Sequence, residues 1–65
     1  MYQLLVYHPG TKVALASFEV LRAADVVTRL PEILAEHPGC ERVVVIFNGL
    51  PLFAVDCNGS VLPGA

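Results

Sequence analysis

Charge is what this sequence has least of. Its 65 residues include four Lys or Arg and six Asp or Glu, so 15% of the chain is charged and 55% is hydrophobic. Globular domains usually carry about 25% charged residues. This composition excludes a disordered chain. It predicts a surface poor in solvating groups, which is typical of a protein that binds itself or a protein partner.

A basic cluster and a long apolar run are both missing. The cations Lys12, Arg22, Arg29 and Arg42 are spread along the chain, whereas a nucleic-acid backbone requires clustered positive charge. No apolar run approaches the roughly 18 residues that cross a bilayer. The N-terminus lacks the basic segment and cleavage site of a signal peptide. We therefore expect one cytoplasmic domain over residues 1–65 that contacts neither nucleic acid nor membrane.

Motifs for catalysis are also missing. No glycine-rich phosphate loop precedes the predicted helix, and two lone histidines do not make a catalytic triad. His37-x-x-Cys40 with Cys57 offers three metal ligands, whereas a structural zinc site needs four. His8 is interpreted as a strand-end residue beside a turn. The sequence thus predicts no enzymatic activity, no cofactor and no metal site.

The strongest structural signal is Asn48-Gly49, which separates two β-rich runs, residues 42–47 and 50–56. This arrangement is typical of a hairpin with a two-residue turn. The pairs it predicts are Phe47 with Leu50, Val45 with Leu52 and Val43 with Ala54 on one face, and Ile46 with Pro51, Val44 with Phe53 and Arg42 with Val55 on the other. Both faces are apolar, and one helix can cover only one of them.

The N-terminal half predicts another hairpin and then a helix. Residues 2–8 read as a strand, Pro9-Gly10 as a type II turn within a loop of three to five residues, and residues 12–20 as the return strand. A helix is predicted over residues 23–37. Its apolar stripe comprises Val26, Val27, Leu30, Ile33, Leu34 and His37. Because the stripe continues in phase across Pro31, we predict one kinked helix; the alternative is a helix that starts at Pro31.

Together these elements predict an α+β fold with the layout ββαββ. The simplest topology is a four-stranded antiparallel sheet in the order 2-1-3-4, with the kinked helix on one face. A β-grasp sheet in the order 2-1-4-3 is the competitor, but it would place Pro51 in a central strand. A second Asn-Gly pair, residues 58–59, predicts a tight turn that sets Val55 opposite Leu62. The tail would then form a short C-terminal fifth strand.

The second hairpin also provides the candidate site residues. The predicted interface consists of Val44, Val45, Ile46, Pro51, Leu52, Phe53 and Val55. Continuing the hairpin register places Cys40 opposite Cys57, within disulfide range, and Glu41 opposite Asp56. A cytoplasmic location favours two reduced thiols over the disulfide.

In layout, the whole chain resembles the small inhibitors encoded by bacteriophages, the anti-CRISPR proteins among them. The shared features are a very short, slightly acidic chain and one helix on a small antiparallel sheet without catalytic residues. The resemblance implies a stoichiometric binder that blocks a host defence complex in the host cytoplasm, without turnover. The alternatives are a homodimer, a β-grasp (ubiquitin-like) carrier and a small structural subunit of a larger complex.

Overall fold

The sheet has the predicted strand order. The computed structural model describes residues 1–63, and its elements are β1 (Tyr2–Tyr7), β2 (Ala16–Val20), α1 (Ala23–Glu36), β3 (Arg42–Phe47) and β4 (Leu50–Asp56). The sheet order is β2-β1-β3-β4, with every neighbouring pair antiparallel. This confirms the α+β fold, whereas the β-grasp order is wrong. Pro51, which has no N–H to donate, lies in an edge strand.

The first hairpin has a longer connection than predicted. β2 begins at Ala16 rather than at residue 12, so residues 8–15 connect the strands. The Pro-Gly turn itself is present, because the Thr11 N–H donates to the His8 carbonyl at 3.3 Å and Gly10 has φ +84°. A type II turn does not match the twist of paired strands. The chain therefore needs extra residues before β2 can pair with β1.

The helix is continuous through Pro31 and ends at Glu36, one residue earlier than predicted. Val26 and Ile33 are its buried residues, and they face the sheet. Val27 belongs to the predicted apolar stripe, but its side chain is 73% exposed. The helix backbone approaches β1 and β2 and not β3 and β4. This position leaves the helix side of β4 only partly covered. The kink at Pro31 stays a prediction.

The second hairpin contains a β-bulge in place of the regular ladder predicted from Asn48-Gly49. Asn48 and Gly49 have φ values of 50° and 83°, as a type I′ turn requires. Phe47 lies opposite Leu50 and Ile46 opposite Pro51, as predicted. The register then shifts, so that Val45 faces Phe53 and Leu52 has no partner. The remaining pairs are Val44 with Ala54, Val43 with Val55 and Arg42 with Asp56.

The hydrophobic core lies between the sheet and the helix. Its most buried side chains come from the two central strands and the middle of the helix: Leu4, Val6, Ile33, Val43 and Val45. Aromatic side chains close one end, where the Tyr2 and Phe47 rings lie 4.6 Å apart. A core this small stabilises a 65-residue chain only marginally. Single changes in the core should therefore have large effects on folding.

Pro31 provides a test of the helix. It is an exposed residue in the helix interior, where proline lacks the N–H of the helical hydrogen bond. We expect Pro31→Ala to raise the free energy of unfolding by about 1–3 kcal/mol. Urea unfolding followed by circular dichroism measures the change. The exposed helical change Glu36→Ala is the control, with an expected effect within about 0.5 kcal/mol. Strong destabilisation by Pro31→Ala would contradict this account.

Candidate functional site

The sheet face opposite the helix is a candidate binding surface. Strand alternation and the observed register place Gln3, Leu5, Tyr7, Ser17, Glu19, Arg42, Val44, Ile46, Pro51, Ala54 and Asp56 on this open face. Leu5 lies opposite Val44 in its centre. Polar side chains surround this apolar centre, with Gln3 and Glu19 towards one end and Arg42 and Asp56 at the other. An apolar centre with a polar rim is the usual anatomy of a protein interface.

An arginine and a tyrosine are fixed at one end of the open face. The Arg42 guanidinium carbon lies 4.3 Å from the centre of the Tyr7 ring, which is a cation–π contact. Arg42 Nη1 also donates to Glu41 Oε2 at 2.6 Å. The two contacts hold the guanidinium in place while its side chain stays 39% exposed. Arginine and tyrosine are among the residues that contribute most to protein binding.

The C-terminal tail borders the open face. The Leu62 N–H donates to the Ala54 carbonyl at 2.8 Å, and the Asp56 N–H donates to the Ser60 carbonyl at 2.9 Å. Val55 therefore lies opposite Val61 and not opposite Leu62. The prediction of a tight Asn58-Gly59 turn is wrong, because a three-residue loop, residues 57–59, joins β4 to an isolated bridge. Asp56 Oδ1 stabilises this loop by accepting hydrogen bonds from the N–H groups of Asn58 and Ser60, each at 2.9 Å.

The tail and β4 enclose a shallow apolar groove of about 260 Å³ on the open face. Ala54 and Val44 line it from the sheet, and Leu62 and Pro63 line it from the tail. Ala54 is small, so it leaves space where a larger residue would fill the groove. The groove extends the apolar centre of the open face towards the edge of the sheet.

The predicted interface residues do not share one face. Val44, Ile46 and Pro51 lie on the open face, as the pairing shows. Val45 is 0% and Val55 3% exposed, because both lie in the core on the helix side. The structure therefore corrects their assignment to an accessible surface. Phe53 also packs against the core, and Leu52, at 49% exposed, borders the helix side beside Val26 and Val27. The predicted residues are divided between the two faces because the bulge exchanges the faces of the residues after Leu52.

A second candidate site lies at the opposite end of the sheet from the Asn48-Gly49 turn. His8 follows β1 and His37 follows α1, and the structure brings their rings together. His8 Nε2 lies 3.3 Å from His37 Nδ1, and both residues are half-buried. The His37 ring also packs edge-on against Phe18, with centroids 6.3 Å apart. This pair was not predicted, because the two histidines lie 29 positions apart in the sequence.

A sequence signal for this pair exists. Each histidine begins the tripeptide His-Pro-Gly, at residues 8–10 and again at residues 37–39. Both tripeptides form the same turn, since Gly10 and Gly39 have φ values of 84° and 79°. In each turn the histidine carbonyl accepts the N–H three residues on, at 3.3 Å and 3.2 Å respectively. Two such turns at one end of the sheet place the two histidines side by side.

The two cysteines lie next to the main chain of His37. Cys57 Sγ is 3.8 Å from the His37 carbonyl oxygen, which also accepts the Cys40 N–H at 3.2 Å. Both are free thiols, and the disulfide stays a prediction. Burial raises the pKa of the Cys40 thiol to about 11, and its hydrogen bond with Cys57 contributes. The raised pKa lowers the already small thiolate fraction of Cys40 further.

The predicted pairings around the cysteines are wrong in detail. The bulge sets Arg42 opposite Asp56, so Cys57 is not in register with Cys40, nor is Asp56 with Glu41. The Glu41 N–H pairs instead with the Tyr7 carbonyl at 2.8 Å. Within residues 1–63, no group of three or more His, Cys, Asp or Glu side chains is arranged to hold a metal ion.

Comparison with known proteins adds no functional assignment. No family model, curated protein or solved structure matches this chain. In the part of the chain described, no helix has the length and apolarity needed to cross a membrane.

The thiols provide a test of the second site. Because the pKa of Cys40 is raised from 9.0 to about 11, its thiolate population at mildly alkaline pH falls about a hundredfold. We expect iodoacetamide to modify the half-buried Cys57 first and Cys40 much more slowly. Peptide mass spectrometry over time measures the two rates. In urea, as a control, the two rates should converge. Equal rates in the folded protein would contradict the burial of Cys40.

Proposed function

We propose that this protein is a non-catalytic protein-binding module that binds its partner through the open face of the sheet. The observation that carries the proposal is that both faces of the sheet are apolar and that the helix covers only one of them. The helix covers one face, whereas the apolar centre of the other face, around Leu5, Val44 and Ile46, has no covering element among residues 1–63. Apolar surface of this kind is stabilised when a partner removes it from water.

The arrangement of charge supports a binding role. The described ion pairs are Arg22 with Asp25, Arg29 with Glu32 and Arg42 with Glu41. All are partly exposed, and only the third borders the open face, where it fixes Arg42 at the rim. The centre of the face therefore presents no charge that a partner would have to desolvate. A flat apolar surface of this type fits the apolar surface of another protein.

We further propose that binding is stoichiometric and inhibitory, and that the target is a larger protein complex. The support for this narrower form is the layout that the chain shares with small bacteriophage inhibitors. Binding alone would then be the activity, and one copy of the protein would block one target surface. A homodimer formed through the same face is the competing use of this surface.

The test is Val44→Asp. Val44 lies at the centre of the open face and is half-buried, so a carboxylate there would have to be desolvated on binding. We expect the variant to fold and to lose partner binding by a factor of about 100 or more. Pull-down from bacterial lysate, followed by titration of the captured complex, measures affinity and stoichiometry. Light scattering of the purified protein distinguishes a homodimer from a monomer.

Two matched variants control this experiment. Leu21→Asp introduces the same charge at a position that is 73% exposed and away from the open face, and should bind like the wild type. Val45→Asp places the charge in the core, and should unfold the protein. Undiminished binding by Val44→Asp would overturn the proposal that the open face is the binding surface. Catalytic turnover of a captured target would overturn the inhibitory form.

A further inference from the structure

We propose that His8 and His37 form a two-ligand binding site for a divalent transition-metal ion of the Zn²⁺ or Ni²⁺ type, with water in the remaining positions. They are the only two histidines in the chain. The structure brings His8 Nε2 and His37 Nδ1 to 3.3 Å, although 29 positions separate them in sequence. This site is independent of the open face, because it lies at the helix side of the sheet end.

The distance fits two nitrogens on one ion. Zinc–nitrogen bonds of about 2.0–2.1 Å at a tetrahedral angle place two nitrogen ligands about 3.3–3.4 Å apart. The observed 3.3 Å separation therefore matches the edge of a zinc tetrahedron. Without an ion, the same contact satisfies the geometry of a hydrogen bond between the two rings. Binding of an ion would therefore release the proton that the two nitrogens share.

The backbone holds both histidines in place before any ion binds. Each precedes a proline, which restricts the backbone of the preceding residue. The turns that follow are closed by the bonds from Thr11 and Cys40 to the two histidine carbonyls. The ring of His37 is held further by Phe18. Such pre-organisation lowers the entropy cost of bringing two ligands together.

The chemistry of the donors selects the ion. Imidazole nitrogens suit zinc, copper and nickel, whereas magnesium and calcium require oxygen ligands. The prolines and glycines of both turns, residues 9–10 and 38–39, are exposed. Water can therefore reach the site and complete the coordination shell. The ion would join the end of β1 to the end of α1, and binding would stabilise the folded state.

The experiment titrates Zn²⁺ and Ni²⁺ into the full chain near neutral pH by calorimetry, with the thiols kept reduced. We expect His8→Gln and His37→Gln each to weaken binding about tenfold or more, since either change removes the advantage of paired ligands. We expect the double variant to lose no more affinity for the ion than either single variant loses. This lack of additivity is the signature of two ligands acting on one ion.

A second readout needs no variant. In nuclear magnetic resonance spectra of the wild type, zinc should shift the imidazole signals of both histidines at the same equivalence point. Cys57→Ser is the matched control, because Cys57 lies beside His37 without being a proposed ligand, and it should bind zinc within about twofold of the wild type. Mg²⁺ should produce no shift.

Three results would overturn the proposal. The first is binding by both single histidine variants that equals the wild type. The second is loss of binding in Cys57→Ser, which would assign the ion to the thiols. The third is unchanged histidine signals in the wild type at millimolar zinc, which would leave the 3.3 Å contact as a hydrogen bond between the rings.

Discussion

One extra residue in β4 decides which side chains of the second hairpin reach the core. Leu52 has no residue opposite it, so the strand changes register between Pro51 and Phe53. Because strand side chains alternate, this shift exchanges the two faces of everything that follows. Phe53 and Val55 turn towards the helix, where Val55 is 3% exposed. In a regular hairpin these two side chains would lie on the opposite face, and the core would receive the smaller Ala54.

The same bulge shapes the open face. With Phe53 and Val55 in the core, the open face receives Ala54 and Asp56 at the end of β4. Ala54 leaves room for the groove beside the tail, and Asp56 accepts the two backbone hydrogen bonds that hold the loop in front of it. The surface proposed for partner binding and the packing under the helix are therefore two consequences of one local irregularity.

Much of the fold could be predicted, because its signals are local. Apolar periodicity located the helix. A type I′ turn requires two residues with positive φ, and Asn48-Gly49 is the pair that adopts this conformation most readily. The strand order 2-1-3-4 followed from the absence of an N–H in Pro51, which restricts β4 to an edge. The exposure of Val27 was missed because it depends on where the helix lies over the sheet, and the longer first connection was missed because a type II turn does not match the twist of paired strands. Of the predicted interface, the pattern placed Val44 and Ile46 on a common face, and the structure agrees.

Tertiary structure decided the rest. No turn or glycine signal around Leu52 marks a bulge, because Leu52 and Phe53 are both apolar residues that could face Val45. In the folded chain Phe53 packs against the core on the helix side, above a strand that the helix backbone itself does not approach. His8 and His37 meet for a similar reason. Local sequence specified two identical His-Pro-Gly turns, but only the packing of β1 beneath the helix end sets their rings 3.3 Å apart.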